Sequence, residues 1–248
     1  MCIDAANSLS VPDPKATAKF SIPIAHYRKS CRHIILCSLP TYSSMTALYK
    51  HTIIDRMLES PLRFATLPAW TTAVMGDFDR FLLDHATAEK KASGMAISML
   101  SHYPDRTDLV TAMADLAIEE LTHYREVLKW IHQRGLITTP DQKDPYVGAF
   151  RQSLRQGSEV YFLDRLLTAS IIEARGAERF ALVADALESG PLKKFYQSIA
   201  RSEARHFELF LELAKKYLDH DMIDQRWDEL LDIEADIVAT LPIRAALH

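Results

Sequence analysis

Apolar and polar positions follow a helical period along most of this chain. From residue 60 onward, apolar side chains recur three and four positions apart, without the two-residue alternation of a half-buried strand. Glycine is scarce, with 7 residues in 248, so long stretches contain nothing that breaks a helix. The pattern predicts a short helix near 70–76 and longer helices over 78–102, 105–135, 158–187, 191–218 and 223–240.

The connections between these helices predict how they pack. Asp105 and Thr107 are candidate N-caps of the predicted helix 105–135, and Gly135 is expected to end it. Pro191 suits the first turn of the next-to-last helix. The predicted helices 78–102 and 105–135 form one pair, and 158–187 and 191–218 form another. A proline-containing stretch of about 20 residues joins the two pairs. Two helical hairpins with a long crossover predict an all-α, ferritin-like four-helix bundle with extra N- and C-terminal helices.

The first part of the chain has a different character. Residues 1–58 mix prolines and serines without a sustained period, and residues 1–56 hold seven Lys or Arg against three Asp or Glu. We interpret 1–58 as an N-terminal extension, either poorly ordered or loosely docked, and 59–248 as the helical domain. A natural start at Met45 or Met57 is an alternative interpretation of the same segment.

Composition narrows the setting of the protein. The formal charge of −4 disfavours a protein that coats nucleic acid by positive charge alone, but it allows a local basic patch. Three cysteines without metal-type spacing argue against a disulfide framework and favour a reducing compartment. No apolar run approaches the roughly 20 residues of a membrane span, and no secretory signal is visible. We therefore expect a cytoplasmic protein with no membrane partner.

Two segments carry the candidate chemistry, Glu120-x-x-His123 and Glu203-x-x-His206. Residues three apart share a face of a helix, so the carboxylate and the imidazole of each motif point the same way. Each motif lies on the second helix of a predicted hairpin. One such motif alone is weak evidence, because surface glutamates and histidines meet at this spacing by chance.

A glutamate in an apolar setting precedes each motif, on the first helix of the same hairpin. Glu89 lies 31 residues before Glu120, and Glu173 lies 30 residues before Glu203, so the chain repeats one unit. A di-iron or di-manganese site in a bundle needs four carboxylates and two imidazoles drawn in this way from four helices. The predicted metal ligands are Glu89, Glu120, His123, Glu173, Glu203 and His206.

Each of these residues taken alone has an ordinary explanation. A helical glutamate is usually solvated or paired with a cation, and a lone histidine is usually a satisfied polar residue. The paired offsets, and the inward face that Glu173 shares with Leu166, argue against this explanation for the set, since an unpaired charge there would be costly. Lys91, Arg175 and Arg205 each follow a ligand glutamate by two positions, about 200° around the helix, and are predicted to face solvent.

Several strings extend beyond the candidate ligands. They are Asp84-His85-Ala86, Glu89-Lys90-Lys91-Ala92, Glu119-Glu120, Ile172-Glu173-Ala174-Arg175, Glu178-Arg179-Phe180, Phe195-Tyr196 and Ser202-Glu203-Ala204-Arg205-His206. With these segments the chain resembles the tRNA-2-methylthio-N6-isopentenyladenosine hydroxylases over roughly residues 60–220. All six ligand positions expected for that family are filled. Residues 1–56 fall outside the resemblance.

The resemblance implies a non-haem di-iron monooxygenase. Its substrate would be the isopentenyl group of 2-methylthio-N6-isopentenyladenosine next to the tRNA anticodon, with tRNA as partner and O2 as co-substrate. Two electrons would come from a separate reductase, because the sequence carries no flavin or nicotinamide fingerprint. Two iron ions are the implied cofactor, although the ligand types by themselves do not choose iron over manganese.

Candidate substrate contacts follow from position along the chain. Gly176 and Ala177 lie one turn beyond Glu173 and could leave room for a prenyl group, although tight helix packing explains them equally well. Basic residues in and after the crossover could contact RNA, with aromatic rings available for stacking: Lys143, Arg151, Arg155, Tyr146 and Phe150.

Other functions fit the same ligand types. The main alternative is a ferritin-like di-metal oxidase or peroxide-scavenging protein that acts on a different substrate. A ribonucleotide-reductase radical subunit normally carries a tyrosine one turn after the first ligand histidine, where this chain has Val127. A metal-free helical scaffold is the non-enzymatic alternative, and metal analysis would separate it from the rest.

Overall fold

Seven helices make up residues 60–248, the part of the chain that the computed structural model describes. They are α1 (Pro68–Gly76), α2 (Phe78–His102), α3 (Thr107–Gln133), α4 (Pro145–Gln152), α5 (Ser158–Ala186), α6 (Pro191–Tyr217) and α7 (His220–Thr240). These residues contain no strand. The all-α prediction is confirmed, while the predicted extension 1–58 lies outside the described residues.

Local sequence explains most of the helix ends. Pro191 occupies the first turn of α6, where its missing N–H costs no hydrogen bond. Gly135 follows α3 with a φ of 71°, the left-handed conformation that commonly ends a helix. The two predicted caps of α3 are wrong. Arg106 is its N-cap and makes no side-chain cap, Asp105 lies one residue too early, and Thr107 is already helical.

The two predicted hairpins form the four-helix bundle. α2 packs along α3, α5 packs along α6, and α3 also contacts α6, so the helices with the two Glu-x-x-His motifs are neighbours. α7 packs against α5 and α6, while α1 packs against α5 and α2. The predicted ferritin-like bundle with an added helix at each end is confirmed. Within residues 60–248 no helix is both long and apolar enough to cross a membrane.

The sequence pattern did not predict α4, which interrupts the crossover between the hairpins. The Asp144 carboxylate accepts hydrogen bonds from the N–H groups of Tyr146 and Val147 at 2.8 and 3.2 Å, which starts this helix. Tyr146 and Phe150 are fully buried. Their apolar contacts hold a helix that would be too short to persist alone. The prediction that these two rings are available to stack on RNA bases is therefore wrong.

The apolar core is divided into two clusters. One cluster includes Met113 and Phe210, and the other includes Phe81 and Val127. Along α3, Glu120 lies between Met113 of the first cluster and Val127 of the second. A layer of ionisable side chains therefore crosses the middle of the bundle, where an uncompensated charge would be costly.

Arg175 contradicts the prediction that it faces solvent, because its side chain is fully buried. Its Nε donates to Glu234 Oε1 at 2.8 Å, and its Nη2 donates to Glu234 Oε2 at 3.0 Å and to the Phe64 carbonyl at 2.7 Å. Glu234 lies on α7, which covers the face of α5 that points away from the bundle axis. Lys91 and Arg205 are exposed, as predicted.

Candidate metal centre and its cavity

The structure brings the six predicted ligand side chains together in the middle of the bundle. Glu89 comes from α2, Glu173 from α5, and the two Glu-x-x-His motifs from α3 and α6. All four glutamates and His206 are at least nine-tenths buried, and the His123 side chain is 12% exposed. Helical spacing of three places each histidine on the same face as its glutamate, which explains the convergence.

The histidines present Nδ1 to the carboxylates. His206 Nδ1 lies 2.8 Å from Glu120 Oε1 and 3.6 Å from Glu203 Oε2. His123 Nδ1 lies 3.4 Å from Glu120 Oε2, 3.7 Å from Glu89 Oε2 and 4.0 Å from Glu203 Oε1. The contact between His206 Nδ1 and Glu120 Oε1 is close but lacks hydrogen-bond geometry, so both buried atoms are left without a hydrogen-bond partner.

These atoms form two groups that overlap. Glu89, Glu120, His123 and Glu203 each offer one ligand atom within 4.8 Å of the others, and Glu120, Glu173, Glu203 and His206 do the same. Glu120 and Glu203 belong to both groups. Buried carboxylate and imidazole atoms without hydrogen bonds are well suited to cations. The donor set therefore fits two metal ions that share two carboxylates and have one glutamate and one histidine each.

Protons held by two glutamates and two histidines offset the negative charge of the buried carboxylates in this layer. Burial, reinforced by Glu120, raises the pKa of Glu89 well above its ordinary value, and burial with Glu203 does the same for Glu173. Burial acts to lower the pKa of both histidines, but nearby carboxylates, Glu120 first, outweigh it. The pKa rises to about 10 for His123 and to about 12 for His206. Divalent ions would replace these protons on binding.

Three residues around the centre, His85, Tyr196 and Glu119, were not among the ligands predicted from the sequence. His85 is fully buried, places Nε2 2.5 Å from Glu89 Oε1, and contacts the Tyr196 hydroxyl through Nδ1 at 3.2 Å. Burial, followed by the charge of His123, lowers the pKa of His85 to about 3, which keeps its ring neutral. The spacing of four between His85 and Glu89 was the signal that could have indicated this contact.

Glu119 is the third of these residues and lies between the two ligand histidines. Its Oε1 lies 3.8 Å from His123 Nε2, and its Oε2 lies 3.2 Å from His206 Nε2. Arg205 Nη2 donates to Glu119 Oε1 at 2.8 Å. Neither contact with a histidine is a hydrogen bond, since His206 Nε2 has no hydrogen-bond partner and 3.8 Å is too long for one, so Glu119 acts on both rings through its charge.

A cavity of about 980 Å³ leads from this centre to the surface. All four predicted glutamate ligands line its inner end, and apolar side chains such as Met95, Ile172 and Phe180 line its walls. Lys143 and Arg151 also line it and are exposed, which places them where the cavity meets solvent. The cavity therefore joins a basic rim to an apolar passage and a carboxylate floor.

Some of the predicted substrate-binding residues line this cavity and others do not. Gly176 lines it, and a Cβ added there would lie 3.7 Å from Glu203 Cγ, beside the centre. Ala177 is buried without lining the cavity. Arg155 does not line it either, and its Nη2 is 2.7 Å from Oδ1 of the buried Asp164. The roles of all these residues in substrate binding stay predictions.

The fold and the site define the ferritin-like class of helical bundles with carboxylate and histidine centres. A family model described as tRNA-(MS[2]IO[6]A)-hydroxylase (MiaE) matches residues 53–248. The chain belongs to this family, which confirms the resemblance noted in its sequence.

Individual relatives agree with the family. A tRNA 2-(methylsulfanyl)-N(6)-isopentenyladenosine(37) hydroxylase from Pseudomonas putida is 36% identical over 166 residues, or 67% of this chain and 78% of that protein. The hydroxylase of the same name from Salmonella typhimurium is 32% identical over 130 residues, or 52% of this chain and 47% of that protein. A solved structure, Protein 43 with aldehyde deformylating oxygenase activity from Synechococcus, has a TM-score of 0.72 and 32% identity, and the match covers 75% of this chain and 94% of that one.

Proposed function

We propose that this protein hydroxylates the isopentenyl group of 2-methylthio-N6-isopentenyladenosine next to the anticodon of tRNA. The observation that carries the proposal is the cavity, whose floor is formed by the four glutamates of the candidate metal centre and whose rim is basic. Membership of the tRNA hydroxylase family supports the choice of substrate. Because tRNA is the substrate, we place the reaction in the cytoplasm.

The proposed reaction consumes O2 and two electrons. One oxygen atom enters a C–H bond of the prenyl group as a hydroxyl, and the other leaves as water, which requires two electrons and two protons. Two iron ions would supply the O2 activation and C–H oxidation, held by Glu89, Glu120, His123, Glu173, Glu203 and His206. A separate reductase would donate the electrons, because the sequence carries no flavin or nicotinamide fingerprint.

The cavity suits a substrate that is apolar at one end and anionic at the other. Met95, Ile172 and Phe180 provide apolar walls for a five-carbon prenyl chain, and Gly176 keeps side-chain volume away from the centre. Outside the passage, phosphates would meet the exposed rim residues. A few phosphate contacts predict only a modest loss of affinity with salt.

The decisive test measures the nucleosides of tRNA. In a strain that lacks this protein, mass spectrometry should find the prenylated, methylthiolated adenosine and none of its hydroxylated form. Purified protein with iron, a reductant and O2 should restore the hydroxyl group on that tRNA. Persistence of the hydroxylated nucleoside in the deletion strain, in the absence of a second hydroxylase, would show that the tRNA assignment is wrong.

A matched pair of charge reversals tests the rim. Arg151→Glu changes an exposed residue that lines the cavity, whereas Arg201→Glu changes an exposed arginine of α6 that does not. We expect Arg151→Glu to weaken tRNA binding several-fold and to leave metal content unchanged, with wild-type binding for the control. Equal loss in both variants would indicate a general effect of charge. A charge reversal at Arg155 is a poorer test of the rim, since the Arg155 guanidinium is already paired with Asp164.

The structural similarity to a protein with aldehyde deformylating oxygenase activity supports a second candidate, oxygenation of an aliphatic aldehyde. The apolar walls of the cavity would accept an alkyl chain, but an aldehyde gives no reason for the basic rim. A long-chain aldehyde is therefore the informative competitor in the same assay. Turnover of the aldehyde with no action on tRNA would favour this candidate over the first.

A further inference from the structure

Arg165 is a cation on the wall of the cavity that no carboxylate neutralises. It lines the cavity, is partly buried, and forms no ion pair among residues 60–248. Its single hydrogen bond within this part of the chain is a long one, from Nη2 to Ser98 Oγ at 3.5 Å. Nε and Nη1 have no partner there, yet neither atom is fully buried, so both can donate to a molecule in the cavity. A guanidinium partly withdrawn from water without a counter-ion favours an anionic ligand.

Two tyrosine rings flank the guanidinium group of Arg165. Its Cζ lies 5.8 Å from the centroid of the Tyr103 ring and 5.9 Å from that of the Tyr161 ring, within the range of a cation–π contact. Tyr103 in turn packs on the buried Phe162, with ring centroids 4.5 Å apart. These rings hold the cation in place without using its N–H donors, which stay available for a ligand.

The acidic residues at the same rim are already engaged. Asp141 Oδ1 accepts a hydrogen bond from Lys90 Nζ at 2.6 Å, and Asp144 caps α4. The remaining carboxylates that line the cavity are the four glutamates at its floor. An anion that neutralises Arg165 must therefore come from outside residues 60–248.

One face of α5 runs from this cation to the candidate metal centre. Arg165, Ala169 and Glu173 all line the cavity at intervals of four residues, and eight residues correspond to about 12 Å along a helix. On α2, Ser98 meets Arg165 nine residues after Glu89, so both helices give the cavity a similar depth. A cation, an apolar stretch and a carboxylate thus follow one another in the order in which a prenylated nucleotide presents phosphate, base and alkyl chain.

We propose that Arg165 binds a backbone phosphate next to the prenylated adenosine and thereby sets how far the isopentenyl chain reaches towards the carboxylate floor. This proposal rests on the proposed function. A guanidinium is always charged and presents N–H donors that match phosphate oxygens. With the phosphate held at Arg165, the base lies along the apolar wall and the alkyl chain ends near Glu173. Arg165 is a binding residue, because it contacts the substrate away from the reacting carbon.

Neutralising one phosphate at a time tests this contact directly. Three anticodon stem-loop RNAs carry 2-methylthio-N6-isopentenyladenosine. One has the natural backbone, and the other two have a single uncharged methylphosphonate linkage on the 5′ or the 3′ side of that nucleotide. Dissociation constants are measured with the full chain by fluorescence anisotropy, and a natural loop with unmodified adenosine measures the contribution of the prenylated base. Wild-type protein should bind one of the methylphosphonate loops on the order of tenfold more weakly than the natural loop, because a charge-assisted hydrogen bond is lost.

Variants of Arg165 show whether this residue holds the phosphate. Arg165→Gln should bind the natural loop on the order of tenfold more weakly than wild type, and neutralising the same linkage should then cost nothing more. Arg165→Lys keeps the charge without the guanidinium and should recover part of the affinity and part of the sensitivity to neutralisation. Arg201→Gln, at an exposed arginine of α6 that does not line the cavity, is the matched control and should behave as wild type.

Each outcome has a separate meaning. If wild-type protein binds both methylphosphonate loops as tightly as the natural loop, no adjacent phosphate is held, and the inference is overturned while the proposed function stands. If neutralisation costs as much in Arg165→Gln as in wild type, with circular dichroism confirming the fold, another cation holds the phosphate and the inference is again overturned. If prenylation gives no advantage over unmodified adenosine in wild-type protein, the substrate assignment fails and the inference fails with it.

Discussion

The overlap of the two ligand groups predicts that the four glutamates are not equivalent in metal binding. Glu120 and Glu203 belong to both groups, while Glu89 and Glu173 belong to one each. Replacing Glu173 with Ala leaves the group around His123 with all four of its ligand residues, so one metal ion should remain. Replacing Glu120 with Ala removes a ligand from both groups, and both metal ions should be lost.

The magnitude follows from counting ligands and charge. Even the partners that only orient a metal ligand typically account for about 10–100-fold in affinity, so losing a direct ligand should cost at least that much at each affected site. In Glu120→Ala the loss applies to two ions at once, and three carboxylates are left to balance them. We expect about two iron ions per chain in wild type, about one in Glu173→Ala, and close to none in Glu120→Ala.

The assay is metal analysis of anaerobically loaded and desalted protein by mass spectrometry, with circular dichroism to confirm the fold. Glu212→Ala, at an exposed glutamate on α6, is the control and should bind as wild type does. Equal metal content in Glu120→Ala and Glu173→Ala would refute the sharing of ligands. Wild-type protein that binds one zinc ion tightly and no iron would refute the dinuclear centre itself.

Three further predictions concern stability, pH and the extension. Arg175→Met should lower the free energy of unfolding by about 3–5 kcal/mol in urea titrations, because it leaves Glu234 buried and unpaired. Adding Glu234→Leu should recover much of this loss, and no recovery would contradict the explanation. Metal affinity should rise with pH between about 6.5 and 10, since His123 and His206 must lose protons to bind; chelator competition that shows no pH dependence would refute this. Deletion of residues 1–56 should leave a folded, metal-binding protein, because all six predicted ligands lie in residues 60–248, and loss of soluble protein would contradict it.

The sequence by itself determined the bundle and the set of candidate ligands. Helical period and the prolines and glycines between segments predicted the six long or terminal helices to within a few residues. Repetition of one unit, with Glu89 and Glu173 at matching offsets, was enough to select six residues that the fold brings together. This works because residues three or four apart share a face whatever surrounds the helix.

Only the tertiary structure decided what surrounds each of those faces. Arg175 lies opposite Glu173 on its helix, as predicted, yet it is buried, because α7 covers that side. The capped helix α4 and the place of His248 depend on contacts between segments about 100 residues apart, such as His248 with Asp144. The period of a helix fixes the direction of a side chain relative to its own axis, and the neighbour it meets is set by packing between helices.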